Sequence, residues 1–344
     1  MKANLDCKYD FYQESWTGEP SAKTIPLHSR CVTGDLADLV EESFIRGILS
    51  EALPLEYSTL HAEIQPIWAT QPYVRELEVT VTVESSHGPH AYTQRFGAGR
   101  WVRVAELVRQ VLIQQGTISE NTPVYRALIG LPHGRTTVVE TPPLEPPPIA
   151  YQSLENYGVK KLGAGVLDLR RPVLINSRMI ADIVDRTEKS GTNEAGGAVL
   201  GKIVRLDEPL PGATTRIVTI LAVGLSDDRH LGGPATFHFS PEALAAAAEI
   251  AQVRGQGEAV LTAWHSHGWS EKCIDCRKDT CPLPSVEQVS PEDYQVLESL
   301  FSSKATLMPI AGRQAGIPLQ RPVVMVHHWC GGLMHPLNWR EYED

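Results

Sequence analysis

Around residues 76 to 112 the hydrophobic period of the chain changes, and the change predicts two kinds of element. In "ELEVTVTVE", Leu77, Val79, Val81 and Val83 alternate with polar residues, the mark of a half-buried strand. "SSHGPH" has the residues of a turn, and "AYTQRF" can return as a partner strand. "VRVAELVRQVLIQQG" then brings Val104, Leu107, Val108, Val111 and Leu112 onto one helical face. Upstream, "LADLVEESFIRGILSEAL" reads as a further helix, while the rest of residues 1 to 70 shows no motif.

A run of prolines interrupts this pattern. "TPPLEPPPIAY" contains Pro142, Pro143, Pro146, Pro147 and Pro148, which remove backbone donors and favour a stiff, extended spacer. The expected organisation is an N-terminal domain over residues 1 to 141, a linker over 142 to 151 and a second domain over 152 to 344. Downstream, "INSRMIADIVDRTEKSG" has a helical period. "GAVLGKIV", "TRIVTILAV", "TFHF", "EAVLTAWH", "ATLMPIAG" and "PVVMVHHW" read as strands. "SPEALAAAAEIAQVRG" and "SPEDYQVLESLF" each open with serine as N-cap and proline at the first helical position. The predicted class is α+β, a mixed sheet flanked by helices, preceded by a smaller α+β domain.

Composition adds limits. At 344 residues and 42% hydrophobic, the chain can bury a substantial core in two domains. No stretch reaches the roughly 18 apolar residues of a spanning helix, and the opening residues lack the apolar run of a signal peptide, so a cytoplasmic protein without a membrane partner is expected. A formal net charge of −10 gives no basic footprint for nucleic acid. In a reducing compartment Cys273, Cys276 and Cys281, close together, point to metal or redox chemistry rather than disulfides.

The densest chemistry lies in "TAWHSHGWSEKCIDCRKDTCPLPSVEQVSPEDYQ". His265 and His267 follow an apolar strand, and residues two apart on a strand share a face, so both imidazoles can reach one ion. Asp293 is the candidate third ligand, although Ser290-x-x-Asp293 is also an ordinary capping box. Two histidines and a carboxylate leave a fourth tetrahedral position for water, as in catalytic rather than structural zinc sites. Glu194, at the entrance to the glycine-rich strand "GGAVLGKIV", is a candidate general base that read alone would be a solvated surface residue.

Taken in order, Glu194-x-x-Gly197-x-Val199-x-Gly201, His265-Ser266-His267 after Trp264, and Ser290-x-x-Asp293 before a helix resemble the JAMM (MPN-plus or JAB) metalloprotease family over about residues 172 to 330. The resemblance implies an MPN/JAB-like domain in which His265, His267 and Asp293 hold a catalytic Zn2+. It implies that Glu194 takes a proton from the attacking water and passes it to the leaving amine, and that Ser290 donates to the oxyanion. The implied function is a zinc-dependent isopeptidase or peptidase that removes or matures a ubiquitin-like modifier. Its partners would be that modifier or its conjugates, and other components of a ubiquitin-like conjugation system, some of which are antiviral. The N-terminal hairpin and helix, an order also met in ubiquitin-like folds, would serve substrate recognition. The alternatives are a JAMM hydrolase acting on another carrier-protein or peptide amide, and a non-catalytic MPN scaffold.

Two departures stand out. Gly268 replaces the proline usual after the second histidine, at an expected cost in loop rigidity. An insertion over residues 268 to 289 also separates His267 from Ser290 by far more than the family's spacer. Within it, Cys273-x-x-Cys276 and Cys281 supply three ligands of a second, structural zinc, whose fourth would be Cys330, His327, His328, Asp275 or Asp279. Such an ion would order the insertion and so hold Ser290 and Asp293; the alternative is a loop of free or partly oxidised thiols.

Overall fold

A computed structural model describes residues 7–13, 25–31, 33–97, 102–130, 137–139, 144–157, 167–168, 170–227, 240–270, 283–301, 307–317, 321–330 and 333–343. The chain forms two compact units, with the main division between Pro146 and Pro147. The second unit also takes in Leu49–Glu51, and the first takes in Cys330–Leu333. Among the described residues no helix is long and apolar enough to cross a membrane.

The first unit is built on an antiparallel sheet. Its strands are β1 (Cys7–Gln13), β2 (Ile25–Cys31), β3 (Thr59–Thr70), β4 (Tyr73–Ser85), β5 (Gly88–Gly97), β6 (Val124–Gly130) and β7 (Thr137–Val139), in the order β2-β1-β6-β4-β3-β7 with β5 on β4. The alternating valines do what their period requires: Leu77, Val79, Val81 and Val83 are all fully buried on one face of β4. Helix α1 (Thr33–Leu49) buries Leu36, Leu39, Val40, Phe44 and Ile48. Helix α2 (Val102–Gln114) departs from the expected face, since Leu112 is buried but Leu107 is 53% and Val111 48% exposed.

The second unit has a nine-stranded mixed sheet among the described residues. It comprises β8 (Ile149–Gln152), β9 (Val173–Asn176), β10 (Gly196–Leu206), β11 (Ile217–Gly224), β12 (Ala259–Ser266), β13 (Leu307–Gly312), β14 (Val323–Cys330), β15 (Leu333–Leu337) and β16 (Arg340–Tyr342). Their order is β15-β14-β13-β12-β10-β11-β9-β16, and β8 pairs in parallel with the second half of β10. The end of the expected spacer is therefore strand. "TFHF" lies outside the described residues.

The helices are α3 (Ser177–Ser190), α4 (Pro241–Arg254) and α5 (Pro291–Leu300). Successive residues of β10 face opposite ways. Val199 packs with Met179 and Ile183 of α3, Trp264 and Leu221. Ala198 and Leu200 pack with Ala247 and Ala251 of α4. Helices thus cover both faces of the sheet, and the central strands read as apolar runs for that reason. Gly197 lies where β10 turns close to the end of β11, and a Cβ there would strike the carbonyl of Leu225.

Candidate metal centre

Strand β12 delivers the two histidines. Trp264 is fully buried in the core, where its Nε1–H donates to Leu225 O at 2.9 Å. His265, the next residue, faces the other way, and His267 shares its side. Both rings are buried, and His265 Nε2 lies 3.3 Å from His267 Nε2. His265 Nε2 also lies 3.2 Å from Asp293 Oδ1. A tetrahedral shell with metal–ligand bonds of about 2.0–2.1 Å has edges of about 3.3 Å, so these donors already stand at ligand spacing. His265, His267 and Asp293 are the group that could hold a metal ion among the described residues.

The second nitrogen of His267 settles its tautomer. His267 Nδ1 is 2.9 Å from the carbonyl oxygen of Ser285, a contact that requires the proton on Nδ1 and leaves the Nε2 lone pair facing the cluster. Burial first, and then the neighbouring His265, push the His267 pKa down to about 4. At neutral pH the ring is uncharged, the state a metal ligand needs.

Asp293 divides its oxygens between two tasks. Ser290 caps α5, and its Oγ accepts from Asp293 N–H at 3.2 Å. Asp293 Oδ2 accepts in return from Ser290 N–H at 2.7 Å, which leaves Oδ1 for the histidines. The capping box and the ligand role are thus compatible. Because Ser290 Oγ accepts from the backbone, its own hydroxyl proton is available to donate elsewhere.

Glu194 arrives from β10. The antiparallel register pairs Gly196 with His265, and Ser266 N–H continues the ladder to Ala195 O at 2.6 Å. Ala195 N–H also donates to Ser266 Oγ at 2.9 Å. Glu194, immediately before this paired stretch, is buried. The same segment is held a little upstream, where Trp269 N–H donates to Gly191 O at 2.7 Å. A Cβ on Gly268 would stand 2.6 Å from the carbonyl oxygen of Thr192. The glycine therefore permits a close approach, and a proline at this position would meet the same carbonyl.

In the last part of the insertion the chain returns through a fastened segment. Ser285 bridges to Arg313, Val286 N–H donates to Arg313 O at 2.9 Å, and Arg313 Nε donates to Leu283 O at 2.6 Å. His327 of β14, fully buried, places Nε2 2.7 Å from Val286 O. Its Nδ1 has no hydrogen-bond partner among the described residues, and burial lowers its pKa. Cys273, Cys276, Cys281, Asp275 and Asp279 lie outside the described residues. Cys7 is buried, and Cys330 is a partly buried free cysteine. The sequence marked His327 only as a partner for the cysteine loop; its bond to Val286 and the fastening role of Arg313 were not foreseen. The available signal was a polar His-His pair ending the apolar "VVMV".

No protein-family model matches the chain, and no curated protein does. Among solved structures that align with it is the solution structure of protein DSY2949 from Desulfitobacterium hafniense, at 16% identity, covering 50% of this chain and 94% of that one, with a TM-score of 0.31.

Proposed function

We propose that the second unit is an MPN/JAB-like domain and that the protein is a zinc-dependent amide hydrolase, an isopeptidase or peptidase acting on a ubiquitin-like modifier or its conjugates. The observation that carries this reading is the convergence of the buried His265 Nε2 and His267 Nε2 with the half-buried Asp293 Oδ1 at ligand spacing. Two imidazoles and one carboxylate suit zinc and leave a fourth position for substrate chemistry. When bound, the ion would supply a Lewis acid that polarises a scissile carbonyl and lowers the pKa of a water towards about 7.

The remaining steps belong to the chain. His265 and His267 serve as ligands, the second held in the required tautomer by Ser285 O. Glu194, fixed through the paired Ala195 and Ser266, takes the proton of the attacking water and returns it to the leaving amine. Ser290 turns its free hydroxyl proton to the developing oxyanion, a donor of a kind commonly worth about 2.7–4 kcal/mol in the barrier.

The test has two arms. Metal analysis of the purified full chain should return zinc, and cleavage of a ubiquitin-like fusion or isopeptide conjugate should depend on it. A metal-free wild type would sink the hydrolase reading and favour a scaffold, while zinc without isopeptide cleavage would direct attention to other amide substrates.

A further inference from the structure

The last part of the insertion supports two of the three candidate ligands at once. Ser285 C=O and Val286 N–H belong to one planar peptide unit. Its oxygen accepts from His267 Nδ1–H at 2.9 Å, and its N–H donates to Arg313 O at 2.9 Å. The next carbonyl along the chain, Val286 O, accepts from His327 Nε2–H at 2.7 Å. A short span further on, Ser290 caps the helix that carries Asp293.

From this geometry we infer that His327 is a positioning residue of the metal centre: through the Ser285–Val286 backbone it fixes the His267 tautomer and the entry to the Asp293 helix, without touching the ion. The inference rests on the metal-centre reading above.

Three features set this apart from simple core packing. His327 is wholly enclosed on a strand whose neighbouring inward residues are apolar, so a phenylalanine or leucine would fill the same space without a donor. Among the described residues its ring hydrogen-bonds to Val286 O, in the segment that leads from the His267 contact to α5. Its connection runs from β14 to Val286, late in the insertion, so it constrains the return of the chain towards Ser290.

The experiment compares His327→Phe, His327→Gln and His327→Asn in the full-length chain. A glutamine amide can place its N–H near the position of Nε2–H, whereas an asparagine falls short of it. Zinc affinity is read by chelator competition, and the His267 tautomer by imidazole 15N shifts in metal-free protein. Loss of a partner behind a ligand typically costs 10–100-fold in metal affinity, so about that loss is expected for His327→Phe and His327→Asn, together with mixed His267 tautomers. His327→Gln should restore most of both. Wild-type affinity and tautomer in His327→Phe, or equal behaviour of the glutamine and asparagine variants, would overturn the inference. Should His327→Phe fail to fold, the glutamine–asparagine contrast decides. A wild type that binds no zinc would overturn the metal reading alone, and the 15N shifts would still decide the role of His327.

Discussion

Asp293 spends one carboxylate oxygen on the end of a helix and keeps the other for the histidines, and the two tasks respond to different substitutions. Asparagine retains an oxygen that can accept from Ser290 N–H but loses the ligand charge, so Asp293→Asn should lower zinc affinity and leave the metal-free melting temperature nearly unchanged. Asp293→Ala removes both, with an added stability loss of about 1 kcal/mol for the cap; equal melting temperatures in the two variants would contradict this. Glu194→Gln should reduce hydrolysis by about 10²–10⁴-fold with full zinc occupancy, because a base that is not a ligand can be neutralised without releasing the ion. Loss of zinc in that variant would make Glu194 a ligand instead. The His267 shift has a definite sign. Its folded pKa of about 4 lies below the unfolded value near 6.5, so the unfolded chain binds the proton first. The metal-free protein should therefore hold this stability above about pH 6.5 and lose on the order of 3 kcal/mol as pH falls towards 4. Denaturant midpoints between pH 7 and pH 4 check the trend, and a flat profile would place the ring in contact with water. At this scale the sequence made His265, His267, Asp293 and Ser290 legible, because each sits in a local pattern. His327 was not legible as a support, since its partner Val286 becomes adjacent only through strand pairing.

Elements were legible where burial imposes a clean period. Strands β4, β10 and β12 and helices α3, α4 and α5 follow their patterns and caps closely. Strands β1 and β3 were missed for physical reasons. Lys8 and Asp10 interrupt the apolar residues of β1, and Pro66 falls within β3. Helix α2 shows the opposite failure, because a continuous apolar stripe does not state which part of it the sheet will cover. Leu107 and Val111 remain in solvent while Leu112 is buried. Gly268 belongs to this scale, since it shapes the junction between β12 and the segment carrying Glu194. Adding a Cβ at 2.6 Å from Thr192 O must move one of the two backbones. Gly268→Ala should thus lower kcat with zinc affinity largely kept, and a displacement of about 1 Å can cost 10²-fold. An alanine variant with wild-type kcat would show that the Glu194 segment is free to yield.

At the scale of the molecule, the middle of the insertion, residues 271 to 282, has a secured segment on either side. Trp269 N–H is bonded to Gly191 O before it, and Leu283 O, Ser285 O and Val286 O accept from Arg313, His267 and His327 after it. The fastened return segment leads into Ser290 and Asp293. Replacing residues 271 to 282 with a glycine–serine linker should consequently preserve one zinc per chain and most of the hydrolysis, and loss of the catalytic zinc in that variant would assign the loop a structural role. If Cys273, Cys276 and Cys281 bind their own ion, the same replacement lowers the content from two zinc ions to one. Once its ends are fixed, lengthening a loop is inexpensive, with each doubling adding only about 0.6 kcal/mol of closure entropy. The stretch between Trp269 and Leu283 is thus a place where new sequence can be exchanged, over generations or by design, without rebuilding the candidate metal ligands.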